Sequence, residues 1–394
     1  MDYHKIINKL LSNGIIGCGY CTWLSMRYKG NIARKLRFLK YANMVRRQKV
    51  IWFRIDRLAA DFTNAWYDMS YMPKEERKWY ITHGFSPNRK KYCGVTPENY
   101  KQYLSDFEFY RATNYKNYND KSSSAWFNNK LNTYYLLQPF IKYMPKHYYY
   151  ASKGVMYPLD VEEKHNCKAE DIVALVKTRA IAAKKCLGGH GDGFYKLEFN
   201  NDLFFANDKE ISESDLTQLI EKFDGYIITD FVKPAKYLRE IGGEDAFGVM
   251  RAMVIYDDVD GPQFERLMLR LGTTKSGHTQ ALHDYLYIGI DENGAFFNPL
   301  IELSDYDFEK IEVHPDTGKK LLGNSLRNLD QLKSIVKEIS GYLPTTPYLI
   351  FDIIPTDDSF VILEINSHGQ PFNFEPFNPV KNSKYFKNLF SLNS

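Results

Sequence analysis

Asp352, Glu364 and Asn366 are the residues of this chain whose types and spacing most directly suggest chemistry. They lie in two apolar runs rich in β-branched residues, Leu349 to Ile354 and Ser359 to Asn366, on either side of Pro355-Thr356-Asp357-Asp358. Two such runs around a Pro/Asp turn predict a β-hairpin. Alternation along a strand points Glu364 and Asn366 to one face, and folding about the turn brings Asp352 almost opposite them. Isolated carboxylates in apolar strands are costly unless something cationic compensates them. Hard oxygens with few protein ligands suit a Mg²⁺ that also holds nucleotide phosphates. An edge hairpin whose polar face meets water accounts for the same residues, so the decision rests on the rest of the chain.

Two further groups bear on it. Ala183-Lys184-Lys185-Cys186 runs into a loop holding Gly188, Gly189, Gly191 and Gly193, followed by the strand-like Phe194 to Phe199. Glycines let backbone N–H groups approach a ligand closely, which is how loops cradle phosphates. No Lys-Ser/Thr follows at Walker A spacing, and no helix follows as a Rossmann fingerprint requires. A flexible flap closing on a nucleotide and a glycine-rich β-turn both remain open. The third group is an arginine pair. Phe247 to Tyr256 and Phe264 to Leu271 read as strands joined by the turn Asp257 to Pro262, which places Arg251 nearly opposite Arg270. Facing like charges repel, so an anion between them is expected; two arginines reaching solvent separately is the alternative.

The elements that must position these groups change in texture along the chain. Residues 1 to about 75 read as helices, with a basic run from Lys29 to Lys49 that could meet an anionic membrane surface or a polyanionic partner, a solvated helix face being the commoner explanation. From about 75 to 125 the sequence is crowded with Tyr, Asn, Lys and Pro and reads as irregular. A helix is expected over Ala125 to Phe140, then alternating strands and helices to the end. This gives an α+β class and three regions, 1–125, 126–230 and 231–394. At 394 residues and 44% hydrophobic the chain can bury a large core. A net charge of +4 does not imply nucleic acid. Five scattered cysteines, with Cys18-Gly19-Tyr20-Cys21 the only close pair, do not form a disulfide framework. No apolar stretch reaches the length of a bilayer span and the N-terminus lacks a signal-peptide core. A cytoplasmic location, including the inner face of the membrane, is expected.

Taken in order, Asn129-Lys130-Leu131, Ala183-Lys184, Gly225 to Val232, Met250-Arg251, Leu269 to Gly272, His314 to Gly318 and Leu363 to Asn366 resemble the ATP-grasp superfamily. Within it, the chain from about Phe127 to Asn366 looks like the sugar-transfer-associated ATP-grasp proteins of capsule and surface-polysaccharide synthesis. The resemblance implies an ATP-grasp fold, two α/β subdomains gripping ATP between antiparallel sheets, behind the helical N-terminal region. It implies that Lys130 and Lys184 hold the α- and β-phosphates, and that Gly188, Gly189, Gly191 and Gly193 cover them. Ile227 to Val232 would read adenine, with Asp230 near the ribose or the exocyclic amine. Asp352, Glu364 and Asn366 would ligate Mg²⁺, and Arg251 and Arg270 would act catalytically on phosphate and an acyl phosphate. Ser367, Gly369 and Gln370, directly after the metal ligands, are the expected substrate contacts. Lys185 departs from the proline usual after the lid lysine, and Ser276 to Thr279 stands where relatives often show Asp-Asn.

The activity implied is ATP- and Mg²⁺-dependent joining of a carboxylate to an amine, with a sugar acid or nucleotide-sugar as acceptor and an amine or amino acid as donor. A phosphotransferase acting on a sugar hydroxyl and a non-catalytic nucleotide-binding module of a glycan-assembly complex are the rivals. No nucleic-acid partner is expected.

Overall fold

The computed structural model describes residues 3–111, 119–159, 167–188, 193–244, 246–274, 285–304 and 307–392. The chain divides into two units. One comprises Met1–Asn119, Leu303–Glu309 and Gln370–Ser394; the other comprises Asp120–Glu302 and Lys310–Gly369. The C-terminal tail thus groups with the N-terminal residues, a partition that sequence texture does not announce.

The first unit is helical. It holds α1 (Tyr3–Ser12), α2 (Gly14–Arg27), α3 (Ile32–Arg47), α4 (Ile55–Asp68), α5 (Lys74–Thr82), α6 (Arg89–Cys93) and α7 (Asp106–Phe109). Asparagine side chains start two of them: Asn13 accepts from the amides of Ile15 and Ile16, and Asn31 accepts from that of Arg34. Ser105 and Glu108 form a capping box on α7. The amphipathic α4 buries Ile55, Leu58, Ala59, Phe62, Ala65 and Trp66. Helices α5 to α7 fall where the sequence reads as irregular, because they are too short for a period to declare itself.

The second unit begins with α8 (Lys121–Phe127) and α9 (Lys130–Leu136). These occupy the stretch expected to be one helix. Asn129 breaks it: its backbone is extended, its side chain caps α9, and it pairs with Leu187. There follow β1 (His147–Ser152), β2 (Val155–Pro158), α10 (Ala169–Thr178), β3 (Ile181–Lys185), β4 (Tyr195–Asn200), β5 (Leu203–Ala206), β6 (Lys209–Ile211), α11 (Glu213–Glu221) and β7 (Tyr226–Asp230). The strands form an antiparallel sheet in the order β2-β1-β7-β3-β4-β5-β6. One face is covered by Ile172, Val173 and Val176 of α10 and Leu216 and Ile220 of α11, packed on Ile181, Ala183 and Ile228. Lys184 is on the other face.

A second antiparallel sheet follows α12 (Lys236–Gly242). Its strands are β8 (Gly248–Asp257), β9 (Gly261–Leu271), β10 (Leu286–Ile290) and β11 (Phe296–Ser304). The short β12 (Asp307–Lys310) straddles the boundary between the units, and α13 (Leu329–Tyr342), β13 (Tyr348–Pro355) and β14 (Phe360–Asn366) complete the list. Within the second unit the order is β11-β10-β9-β8-β13-β14. Leu332, Ile335, Val336 and Ile339 of α13 cover the face carrying Met250, Ala252, Val254, Leu267, Leu269, Leu349, Phe351 and Ile353.

Two β-bulges set which residues share the opposite face. Near the turn of the β13/β14 hairpin, Pro355 pairs with Phe360 and Ile353 with Ile362; beyond it Asp352 pairs with Glu364. Leu363 is the extra residue. Continued without it, the first register would put Glu364 opposite Phe351, on the core face. In β8/β9, Asp257 pairs with Gly261 and Val254 with Phe264, whereas Met253 pairs with Arg266 and Arg251 with Met268. Glu265 is the extra residue there. Without it Arg270 would face Gly248 and lie on the side away from Arg251; with it Arg270 pairs with Val249. The apolar spacing accounts for both bulges. Phe360, Ile362 and Ile365 all reach the core, as do Phe264 and Leu267, and no unbroken alternation allows that.

Candidate functional site

A row of charge crosses three neighbouring strands. Glu364 on β14 stands beside Asp352 on β13, which stands beside Arg251 on β8. Arg251 grips Asp352 with two hydrogen bonds, Nε to Oδ1 at 2.8 Å and Nη2 to Oδ2 at 3.1 Å. Asn366 Nδ2 donates to the same Oδ2 at 3.1 Å. Burial opposes the charge on Arg251, but Asp352 outweighs it and the guanidinium pKa is held above its ordinary value.

Glu364 is matched less well. Its closest cation is Lys130, with Nζ 3.6 Å from Oε1, and Lys130 also donates to the Gly188 carbonyl at 3.1 Å. The Lys130 amide binds the Cys186 carbonyl, so the first residue of α9 is tied to the glycine loop by both backbone and side chain. Burial pushes the Glu364 carboxyl above its usual range; Lys130 opposes this and Asp352 adds to it. Lys184 faces the same field. Burial, foremost, pushes its ammonium down to about 8, Glu364 pulls it back, and Lys130 adds to the depression.

The donor set can be tested against the ion that the sequence implied. Arg251 and Asn366 take most of the lone pairs of Asp352 and leave it one open direction on Oδ1. Among the described residues Glu364 has an ion-pair partner in Lys130 at 3.6 Å, and the Oδ1 of Asn366 is its acceptor end. Hard oxygens with few protein bonds fit Mg²⁺, which keeps several non-protein ligands. The described residues contain no group of three or more His, Cys, Asp or Glu side chains able to hold a metal by themselves.

The remaining candidates disperse. Arg270 shares Arg251's face but sits two residues along rather than opposite, a correction caused by the register around Glu265. Its guanidinium stacks on Tyr285 at 4.4 Å and lies 5.7 Å from the Tyr287 ring, whose hydroxyl donates to Glu302. Asp230 projects from the face opposite to Lys184, since its neighbour Ile228 packs on the α10/α11 side. There it accepts from Tyr148 at 2.7 Å and lies 3.8 Å from Arg179, so its side chain does not join the Lys184 group. Gly188 and Gly193 flank the loop; Gly189 and Gly191 lie outside the described residues. Gly193 has a φ of +69°, and a Cβ there would come 2.7 Å from Lys185 Cε and Tyr226 Oη, so the backbone favours glycine. Ser367 is buried and shares a hydrogen bond with His368, Gly369 accepts from Tyr348 and packs against Ile350, and Gln370 belongs to the first unit, where it donates to Tyr110.

Sequence reading missed residues on the Lys184 face of the first sheet. Lys196, 3% exposed, pairs with Glu198 at 2.7 Å and lies over Phe231 at 5.3 Å. His147 stands opposite Thr229, and burial, then Lys184, push it down to about 4. The signal for the first was present: Lys and Glu two apart in Tyr195-Lys196-Leu197-Glu198-Phe199 must share a face.

Solved structures share low-identity likenesses with the chain. D-alanine–D-alanine ligase from Bacillus anthracis is 10% identical, over 70% of this chain and 68% of that one, with a TM-score of 0.37. The macrocyclase MdnC of Microcystis aeruginosa, bound to its precursor peptide MdnA, is 10% identical over 82% and 72%, with a TM-score of 0.36. An N5-carboxyaminoimidazole ribonucleotide synthetase in its ADP complex is 12% identical over 63% of this chain, which spans 46% of that protein, with a TM-score of 0.35. No match among curated proteins reaches significance. The pattern that defines the sugar-transfer associated ATP-grasp proteins matches residues 110–379, more than half of the chain. With its two antiparallel sheets behind a helical N-terminal region, the chain belongs to that family and has the expected ATP-grasp α+β fold.

Proposed function

We propose that the protein is an ATP- and Mg²⁺-dependent ligase that joins a carboxylate, on a sugar acid or related glycan precursor, to an amine. The observation that carries this reading is the charge balance of the cluster. Lys130, Lys184 and Arg251 supply three positive charges against the two carboxylates of Asp352 and Glu364, an excess of one that burial makes costly without an added anion. A nucleotide triphosphate supplies that anion. Mg²⁺, held by Glu364, Asn366 Oδ1 and the open direction of Asp352, would neutralise the transferring phosphoryl group.

The protein's own groups then divide the work. Lys130 and Lys184 bind phosphate oxygens, and the bond from Lys130 to the Gly188 carbonyl keeps that lysine against the loop. Arg251 commits Nε and Nη2 to Asp352, so its first task is to fix that carboxylate. Arg270, anchored by stacking, is the arginine left to meet charge that develops when the carboxylate attacks the γ-phosphorus in line. An amine then displaces phosphate. Excluding water from this step protects the acyl phosphate from hydrolysis.

The test is to incubate the protein with ATP, Mg²⁺ and a panel of uronic-acid nucleotides with amines, measuring ADP and product mass. The proposal expects ADP and phosphate released in step with an amide and a requirement for both carboxylate and amine. A stable phosphosugar formed without amine would replace it with phosphotransfer.

A further inference from the structure

Helix α2, Gly14–Arg27, carries no charged residue before its last position. Its inner face, Gly17, Cys21, Leu24 and Ser25, is buried. At 100° per residue the opposite side carries Ile15, Gly19, Thr22, Trp23 and Met26, and these face outward: Ile15 is 87% exposed and Met26 63%. A helix with no charged side chain until its last residue is ordinarily covered on every side, whereas the outward side of this one is exposed. Helix α3 extends the surface with Ile32, 78% exposed, and Leu36, 63% exposed. The two helices form one hairpin, joined by Lys35 Nζ to the Met26 carbonyl at 3.1 Å and Ser25 Oγ to the Lys35 carbonyl at 2.9 Å; Arg46 Nη1 ties α3 to α1 as well, donating to the Leu11 carbonyl at 2.8 Å.

The sequence that builds this face is basic, and of the acidic residues on α4 Asp68 meets it by pairing with Arg34 at 3.4 Å. Between Asp2 and Asp56 the sequence has no acidic residue and twelve lysines and arginines. Lys9, Arg27, Lys29, Lys40 and Arg47 among them are exposed. Arg27 lies over the Trp23 ring at 4.7 Å, a pairing of cation and amphipathic ring suited to the level of lipid headgroups. At fourteen residues α2 is too short to span a bilayer, and no helix among the described residues is long and apolar enough to cross one.

We propose that the α2/α3 hairpin docks in the plane of an anionic lipid bilayer, with Ile15, Trp23, Met26, Ile32 and Leu36 entering the interface and the flanking lysines and arginines meeting acidic headgroups. Apolar burial and attraction to anionic lipid add in such a helix, and each basic side chain near the surface contributes about 1 kcal/mol, roughly a fivefold gain in partition. A protein partner would need an acidic rim around an apolar groove; a bilayer offers both properties without a matched shape. The proposal stands apart from the nucleotide reading, since none of these residues belongs to the charged cluster.

The experiment is sedimentation of the 394-residue chain with vesicles of phosphatidylcholine alone or with about one-third phosphatidylglycerol, at low and high salt. The proposal expects binding to the anionic vesicles at least tenfold above the neutral ones, weakened by salt. It expects binding to fall at least tenfold in Ile15→Glu/Met26→Glu, whose exposed positions leave the folded state intact by circular dichroism. Equal binding to both vesicle types, or no binding, would overturn it. So would a concentration-dependent dimer, abolished by the same double variant, in protein that ignores lipid: the face would then join two copies of this chain.

Discussion

The two ends of the charged row teach opposite lessons although they sit side by side on one sheet. At one end Arg251 and Asp352 form a bidentate pair, with Asn366 donating to Oδ2 as well, and the arginine is held firmly charged. At the other, Glu364 faces Lys130 at 3.6 Å with Lys184 nearby, and burial drives both Glu364 and Lys184 toward their neutral forms. The first end is balanced in charge without a ligand. The second carries a charge imbalance that an anion and a divalent cation would relieve, and the proposed nucleotide site rests on that difference.

The largest effect should come from dismantling the finished end. Arg251→Met leaves Asp352 without its cation in a largely buried setting, and urea denaturation should show a loss of about 3 kcal/mol. A loss below about 1 kcal/mol would remove the scaffold role and make the two ends alike. Next is Glu364→Gln, which keeps shape but removes the charge. Turnover of ATP should fall roughly 10²-fold or more while the denaturation midpoint barely moves. Unchanged ADP release would end the metal-site assignment.

Lys184→Ala comes third. Loss of one charge-assisted contact should weaken ATP binding by about tenfold or somewhat more, read by titration calorimetry. Stability should hold or rise, because burial already opposes this charge. Equal affinity in parent and variant would mean that the lysine does not touch phosphate.

The smallest effect is a slope. The Lys184 pKa lies near 8 in the folded protein, against 10.5 for the free side chain, so between these values the unfolded chain binds more protons. Its contribution to stability therefore rises as pH climbs from about 8 to about 10.5. Affinity for ATP in the free protein runs the other way. It should decline above pH 8, by at most about tenfold per pH unit, as the ammonium is lost. Both trends should vanish in Lys184→Met; a persisting decline would assign the titration to another group.

Much of the cluster was legible because strand chemistry is local. The runs around Pro355 to Asp358 announce the hairpin, and the turn from Asp257 announces the other, though the strands extend to Asp257 and Gly261 and leave a tighter turn than the composition suggests. Asp230 shows the limit. Only the packing of Ile228 under α10 and α11 reveals that its carboxylate points away from Lys184. The N-terminal surface shows another: basic composition is plain in the sequence, but that the outward side of α2 is apolar follows from which residues pack inward.

The sequence by itself determined the residue types, the two hairpins and the order of lysine, glycine loop, arginine and carboxylate along the chain. Tertiary structure decided which of these residues meet. Strand alternation assigns a face only while register is unbroken, and single extra residues, Leu363 and Glu265, reverse that assignment partway along two strands. Burying Ile365 and Leu267 while keeping Glu364 and Arg270 off the core face requires both reversals. Putting a carboxylate or a guanidinium among Phe351, Met250 and Leu269 would cost more than either bulge.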